Sequence, residues 1–323
     1  MHGNMAIVTT SPARTSGTTA GNGLTAGNGL TAAITAFVIW GFFPIYLMGL
    51  ASVSAMQITA HRIAWSFVFV LAWLAVTGEL GKLREAFTRP GVLVRLAASA
   101  FFIAANWVAF AWAVNHNRVL DVSLGYYIGP LINVVLGIVV LSERLDKTQW
   151  LAVAFAAAGV SYLSLIAGHA PWIALTVAIS FALYGLIRKT VGIEALPGLA
   201  VETILLVPFA LGYLVWCEAQ GTGVFGHSSA AVTALLLASG VVTSVPLFLF
   251  AYGARRIPFS TMGVIQFAGP SLQLLCGLVV FREPFDSARA VGFLLIWIGL
   301  FIYAAHGLRK ARRALIAADS TAG

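Results

Sequence analysis

The segment GPLINVVLGIVVLSE at 129–143 returns 140 positions later as GPSLQLLCGLVVFRE at 269–283. Gly129-Pro130 and Gly269-Pro270, Gly137 and Gly277, the valine pairs that follow, and Glu143 and Glu283 all fall in one register. Proline removes a backbone donor and glycine permits dihedrals that other residues avoid, so both copies carry the ingredients of a helix break at the head of an apolar run. Such a Gly/Pro-interrupted segment in matching positions of two halves is a sequence pointer to a carrier with internal repeats.

The rest of the chain is as apolar as that segment. Of 323 residues, 60% are hydrophobic and only 9% charged, against roughly 25% charged in soluble domains. So few charges cannot solvate a water-exposed fold, and the composition implies many spans in a lipid bilayer. The net charge of +8 is dispersed between apolar blocks, which suits the orientation of spans and excludes a nucleic-acid partner. Cys217 and Cys276 show no CxxC or metal-ligand spacing, so neither a disulfide framework nor a metal site is expected. There is no P-loop, GxSxG, HExxH or acid cluster, so neither an enzyme nor a cofactor is expected. His116, His169 and His306 stand isolated at expected span ends and read as surface residues.

A helix needs about 20 apolar residues to cross the hydrocarbon core. Ten segments qualify: 31–50, 56–77, 91–113, 119–141, 148–167, 170–188, 197–217, 229–252, 257–281 and 287–306. Alternate connections are rich in basic residues: Lys82, Arg84, Arg89 and Arg95, then Arg144 and Lys147, Arg188 and Lys189, Arg255 and Arg256, and Arg309 to Arg313. The intervening ones offer only Arg118, Arg282 and Arg289. Positive residues stay inside, so both termini are expected in the cytoplasm. Each half then holds five spans, and an odd number forces the second half to enter the membrane from the opposite side. The expected fold is an all-α integral membrane protein of ten transmembrane helices, built as two inverted five-helix repeats at 29–167 and 168–307. Phe110-Ala111-Trp112 and Phe250-Ala251-Tyr252 repeat at the same offset, and Trp40-Gly41 echoes Tyr184-Gly185. Residues 1–28, Thr/Gly/Asn/Ala-rich with TAGNGL in tandem and no signal-peptide pattern, read as a disordered cytoplasmic tail. Residues 308–323 read as a basic cytoplasmic tail.

The blocks WGFFPIYL (40–47), HRIAWSF (61–67), NWVAFAWAVNHNRVLDVSLGYYIGPLINVVLG (106–137), QWLAV (149–153), SFALYGLIRK (180–189), VETILLVPFA (201–210) and VIQFAGPSLQ (264–273) resemble the RarD-type permeases. These belong to the EamA group of the drug/metabolite transporter superfamily. The resemblance runs from about 31 to 306, and the His61-Arg62 pair and the GYYIGP stretch are its most specific parts. It implies a ten-span bacterial inner-membrane carrier made of two EamA repeats. The RarD label is associated with chloramphenicol sensitivity, which does not define a substrate.

Ionisable groups inside spans are costly and mark pathways or clasps. His61 and Arg62 fall in the second span and Glu202 in the seventh, where repeat alignment sets His61 against Glu202. Glu202 and His61 read either as pathway residues that take up a proton or, with Arg62, as an interhelical clasp. Asn106, Asn133, Gln266 and Gln273 are the uncharged polar candidates. Asn133 and Gln273 stand three residues after each proline, placed to bind substrate or a carbonyl that the proline frees. Trp40, Tyr126, Tyr127 and Tyr184 offer aromatic faces to a ring or cation, or simple packing. Gly129, Pro130, Gly269 and Pro270 are the expected helix breaks. Glu143 and Glu283, beside Arg144 and Arg282, suit either a gate or, more plainly, helix-end charge pairs. Gly125-x-x-x-Gly129 suits packing within the chain or a homodimer.

The expected function is secondary transport of small organic metabolites or drugs by alternating access, with proton coupling as an option. The alternatives are an uncoupled facilitator, an integral-membrane enzyme on a lipid-linked substrate, or a non-transporting scaffold.

Overall fold

The computed structural model describes residues 18–116, 118–167, 172–280, 282 and 287–322. Glu283, His169 and residues 1–17 of the expected tail lie outside the described residues. Thirteen helices and no strand occur among the described residues. The first span is α1 (Thr18–Gly41) with α2 (Phe43–Met48), and the second is α3 (Ala55–Val76). A short amphipathic helix, α4 (Leu80–Thr88), precedes α5 (Pro90–Asn115), α6 (Val119–Val139) and α7 (Lys147–Ala167). The remaining spans are α8 (Trp172–Thr190), α9 (Ala195–Ala219), α10 (Ala230–Ala254), α11 (Phe259–Gln266) with α12 (Ala268–Val279), and α13 (Ser287–Ala322). Ten of these spans are long and apolar enough to cross a membrane.

Three expectations are corrected. Residues 18–28 are not irregular: α1 begins at Thr18, Gly29 packs on Arg256 and Ile257, and a helix once nucleated extends at little cost. Gly129-Pro130 does not break its helix, because α6 runs through Pro130 to Val139. A proline deletes one hydrogen bond there, a loss that buried spans absorb through neighbouring helices. The second copy is interrupted, but at Phe267, three residues before Pro270. A further break separates α1 from α2 at Phe42, where Pro44 enters the first turn of α2.

Polarity is distributed inside-out. Large apolar side chains such as Val76, Phe101, Leu165, Phe209 and Phe301 are exposed, while Arg62, Arg188, Glu202, Asn106 and Asn133 are buried. That is the distribution a lipid solvent selects. Small residues set the closest approaches. Gly159 and Gly299 of the α7–α13 pair lie against backbone carbonyls of Gly292 and Ala152, and Gly125 lies against the carbonyl of Ala174 in α8. The Gly125-x-x-x-Gly129 face is therefore occupied within the chain.

The basic-rich connections gather on one face. Lys82 pairs with Glu79 and with Glu194 at 2.8 Å, and Arg255 donates to the carbonyl of Val191 at 3.1 Å. Lys189 Nζ donates to the last carbonyls around α10, Ala254 at 2.9 Å and Ile257 at 2.6 Å. Asp146 accepts from the amides of Thr148 and Gln149 at the start of α7 and meets His306 at 2.6 Å. The Gln149 contact, with His306 and Thr148, holds the Asp146 carboxyl below its usual range. The other connections meet elsewhere, through Gln57 on the carbonyl of Thr222 and Tyr46 on that of Leu235.

Glu143 is the joint between the halves on the basic face. Its carboxylate accepts from the amides of Phe259 at 2.6 Å and Ser260 at 2.9 Å, satisfying two orphan donors at the N-terminus of α11. Ser142 reaches this turn with φ 55°, and Arg282, its counterpart, has φ 54°. Gly137 leaves room for the carboxylate, since a Cβ there would lie 2.7 Å from Glu143 Oε2. Glu143 is thus a cap, not half of a helix-end pair with Arg144. Glu143→Ala removes two charge-assisted bonds, expected to lower stability by about 2 kcal/mol. The thermal midpoint of the purified protein in detergent should fall by several degrees, with Glu143→Gln intermediate; an unchanged midpoint contradicts the cap.

Candidate functional site

A cavity of ≈ 100 Å³ lies where seven spans meet, drawn from both halves of the chain. The first span gives Phe37, Trp40 and Phe43, α3 gives Arg62, and α5 gives Asn106, Trp107 and Phe110. From α6 come Gly125, Tyr126 and Gly129, from α8 Phe181, and from the ninth span Gln266, Gly269, Pro270 and Gln273. Seven of the nineteen described lining residues are aromatic, and Arg62 is the one that carries a charge. A larger groove of ≈ 480 Å³ between α3, α5 and α9 is lined almost wholly by apolar side chains such as Phe101, Val108 and Phe209, which are exposed on the outer surface.

Arg62 is 7% exposed. Its Nε donates to Thr243 Oγ1 at 2.9 Å, and the guanidinium carbon lies 5.0 Å from the Phe43 ring centre and 4.9 Å from that of Trp107. No carboxylate forms an ion pair with it among the described residues.

Polar side chains tie the spans together around this space. Pro44 deprives the Trp40 carbonyl of its i+4 amide, and Gln273 Nε2 donates to that carbonyl at 3.1 Å. Asn133 Nδ2 donates to Gln266 Oε1 at 2.6 Å, at the last residue of α11. The Tyr127 hydroxyl donates to the carbonyl of Pro270 at 3.1 Å. Asn106 Nδ2 donates to the carbonyl of Val177 at 2.8 Å, tying α5 to α8. Asn133 and Gln273 are equivalent in sequence, but Gln273 satisfies a freed backbone carbonyl whereas Asn133 bonds a side chain.

The other ionisable candidates stand apart from the cavity and from each other. His61 packs on Phe225, ring centres 5.3 Å apart, beyond the C-terminal end of α9. Glu202 lies near the opposite end of α9 and faces Arg188 of α8 at 3.5 Å, while Ser99 of α5 donates to it at 2.5 Å. Neither His61 nor Arg62 is its partner. Arg188 is fully buried, donates to the carbonyl of Ala195 at 2.6 Å, and is accommodated by Gly198, where any Cβ would collide with it. Tyr184, fully buried, stacks on Phe250, and its hydroxyl has no hydrogen-bond partner among the described residues. Sequence reasoning missed Arg188, counting it among the charges that end a span. It also missed the break at Phe42, although Gly41 and Pro44 in WGFFP signal it.

Ten apolar spans around a buried, partly polar cavity define a multi-pass membrane protein with the architecture of a transporter. The model of the EamA-like transporter family matches residues 27–165. An uncharacterized transporter of Pseudomonas aeruginosa is 43% identical over 280 residues, 87% of this chain and 94% of the relative. The protein RarD of Escherichia coli is 38% identical over 281 residues, 87% and 95% of the two chains. The chain belongs to the EamA-like transporter family, among its RarD-type members. A crystal structure 19% identical in sequence shares the fold with a TM-score of 0.66, over 85% of this chain and 96% of the other.

Glu202→Gln leaves the Arg188 guanidinium buried without a counter-charge, a loss of about 3–5 kcal/mol for a broken buried pair. The expected result is a collapse of monodisperse yield in detergent. Replacing both partners, Arg188→Met with Glu202→Leu, should restore it. A single variant that folds as well as the parent contradicts the clasp.

Proposed function

We propose that this chain is a secondary transporter that moves small organic molecules across the bacterial cytoplasmic membrane by alternating access. Its two halves, 29–167 and 168–307, are inverted five-span repeats, and both termini are cytoplasmic. One observation carries the proposal. Pro44, Pro130 and Pro270 remove the i+4 donors of Trp40, Tyr126 and Gln266, and all three of those residues line the central cavity. Within a membrane, disrupted backbone is tolerated where it is buried in protein or borders an aqueous cavity, and discontinuous helices mark the binding sites of carriers.

The helix pairing supports inversion. Exchanging the first five spans with the last five turns the α6–α8 packing into that of the ninth span on the first. It turns α5–α8 into α10–α1, and α3–α10 into α9–α5. The pairs α3–α9, α6–α11 and α7–α13 map onto themselves, as pairs straddling a two-fold axis do. With no ATP-binding motif in the sequence, an ion gradient or substrate exchange supplies the energy. A proton-coupled cycle would run through Glu202, whereas an uncoupled facilitator needs it only as a clasp. The 3.5 Å pairing with Arg188 favours the clasp.

Gly269 offers a test that spares the fold, because a Cβ there meets only Phe37, at 3.7 Å or beyond. Gly269→Leu should fill the cavity and leave folded yield unchanged. Cells expressing the parent should differ from vector controls in the cellular or external level of at least one small organic compound, and cells expressing Gly269→Leu should match the controls. A variant as active as the parent places the pathway elsewhere.

A further inference from the structure

We infer that the central cavity binds an organic anion carrying a single aromatic or apolar ring, with Arg62 holding the acidic group; this rests on the cavity being the transport site. Two arginines are buried deep in the bundle, and they keep different company. Arg188 faces the Glu202 carboxylate. Arg62, more than nine-tenths buried and lining the cavity, has no carboxylate partner among the described residues. Among the described residues, the ionisable groups whose fields reach it are the phenols of Tyr126 and Tyr46.

A guanidinium carries five N–H donors in a fixed fork. At Arg62 one of them, on Nε, serves Thr243, and the aromatic faces of Phe43 and Trp107 flank the cation. Aromatic faces stabilise a desolvated cation only in part and accept no hydrogen bonds along the fork. A planar two-oxygen acid is the partner that geometry fits, since carboxylates and guanidinium pair bidentately. A second donor is available. Gln266 Oε1 is engaged by Asn133, while its Nε2 lies against Gly129 on the cavity wall and makes no hydrogen bond among the described residues.

The rest of the wall sets the body of the ligand. Trp40, Phe110 and Phe181 offer ring faces with no charge. At ≈ 100 Å³ the cavity is smaller than the apolar cavity of about 150 Å³ that takes up benzene, which limits the body of the ligand to one ring at most. An acidic wall, as a cationic substrate would need, is absent among the described lining residues.

The test uses the purified full-length protein and compares 4-nitrobenzoate with its neutral isostere 4-nitrobenzamide. Both quench tryptophan, and Trp40 and Trp107 report from the cavity itself. The carboxylate should quench saturably and bind about ten-fold tighter than the amide. Arg62→Met should abolish that preference, and Arg62→Lys should retain part of it. Arg62→Met should also raise the thermal midpoint, because it removes a buried charge that has no counter-charge among the described residues. Equal or tighter binding of the amide to the parent protein overturns the inference, and needs no variant to be folded. So does carboxylate binding that survives Arg62→Met, an absence of binding by both probes, or a fall in the midpoint of that variant. None of these results touches the transport reading, which stands or falls on Gly269→Leu.

Discussion

A carbonyl that loses its helical donor inside a bilayer has no water to replace it, and Pro44 creates such a carbonyl at Trp40. Gln273 supplies the missing donor from the other half of the chain, across 233 positions of sequence. Further hydrogen bonds cross the same seam. Tyr127 donates to the Pro270 carbonyl and Asn133 to the Gln266 side chain, both from α6 to the ninth span. Polar contacts between spans average only about 0.6 kcal/mol each, because unassembled spans also find partners. They are strong enough together to register the two halves and weak enough singly to be exchanged. The cavity is bordered by Trp40, Tyr126 and Gln266, whose i+4 donors Pro44, Pro130 and Pro270 remove.

The two buried arginines show how context divides one residue type between structure and chemistry. Arg188 has a carboxylate, the Ala195 carbonyl and a glycine that makes room for it. It joins α8 to α9, and Ser99 extends the contact to α5. Arg62 has aromatic rings, one hydroxyl and a cavity. Removing a partner from the first leaves a stranded charge, whereas the second has no carboxylate partner among the described residues. A fold optimised only for stability would not keep the second arrangement.

The ten spans were legible because each rests on local sequence, about 20 apolar residues between polar connections. The outer ends of α1, which begins at Thr18, and of α13, which runs to Ala322, were not. The grouping of basic connections on one face was legible from counting lysines and arginines, and the contacts of Lys82, Lys189 and Arg255 agree with it. Arg62, Asn106, Gln266 and Gln273 were found as polar residues in apolar runs, and all four line the cavity. What could not be read were partners set by tertiary packing. Glu143 looked like half of a charge pair with its neighbour, yet it caps a helix 116 positions away. His61 and Glu202 occupy matching repeat positions but meet opposite ends of α9, Phe225 beyond one and Arg188 near the other. In the inverted arrangement we propose, a two-fold axis in the membrane plane would bring matching residues together only at mid-membrane and separate those near the ends. Repeat alignment gives the correspondence and not the depth.

Alternating access between the two halves is the central claim, and solvent reach from each face tests it most directly. With Cys217→Ser and Cys276→Ser as background, Gly269→Cys places one thiol on the cavity wall. A membrane-impermeant maleimide would be applied separately to right-side-out and to inverted vesicles. The account predicts labelling from both faces, each slowed by a transported ligand. Labelling confined to one face under every condition would contradict it.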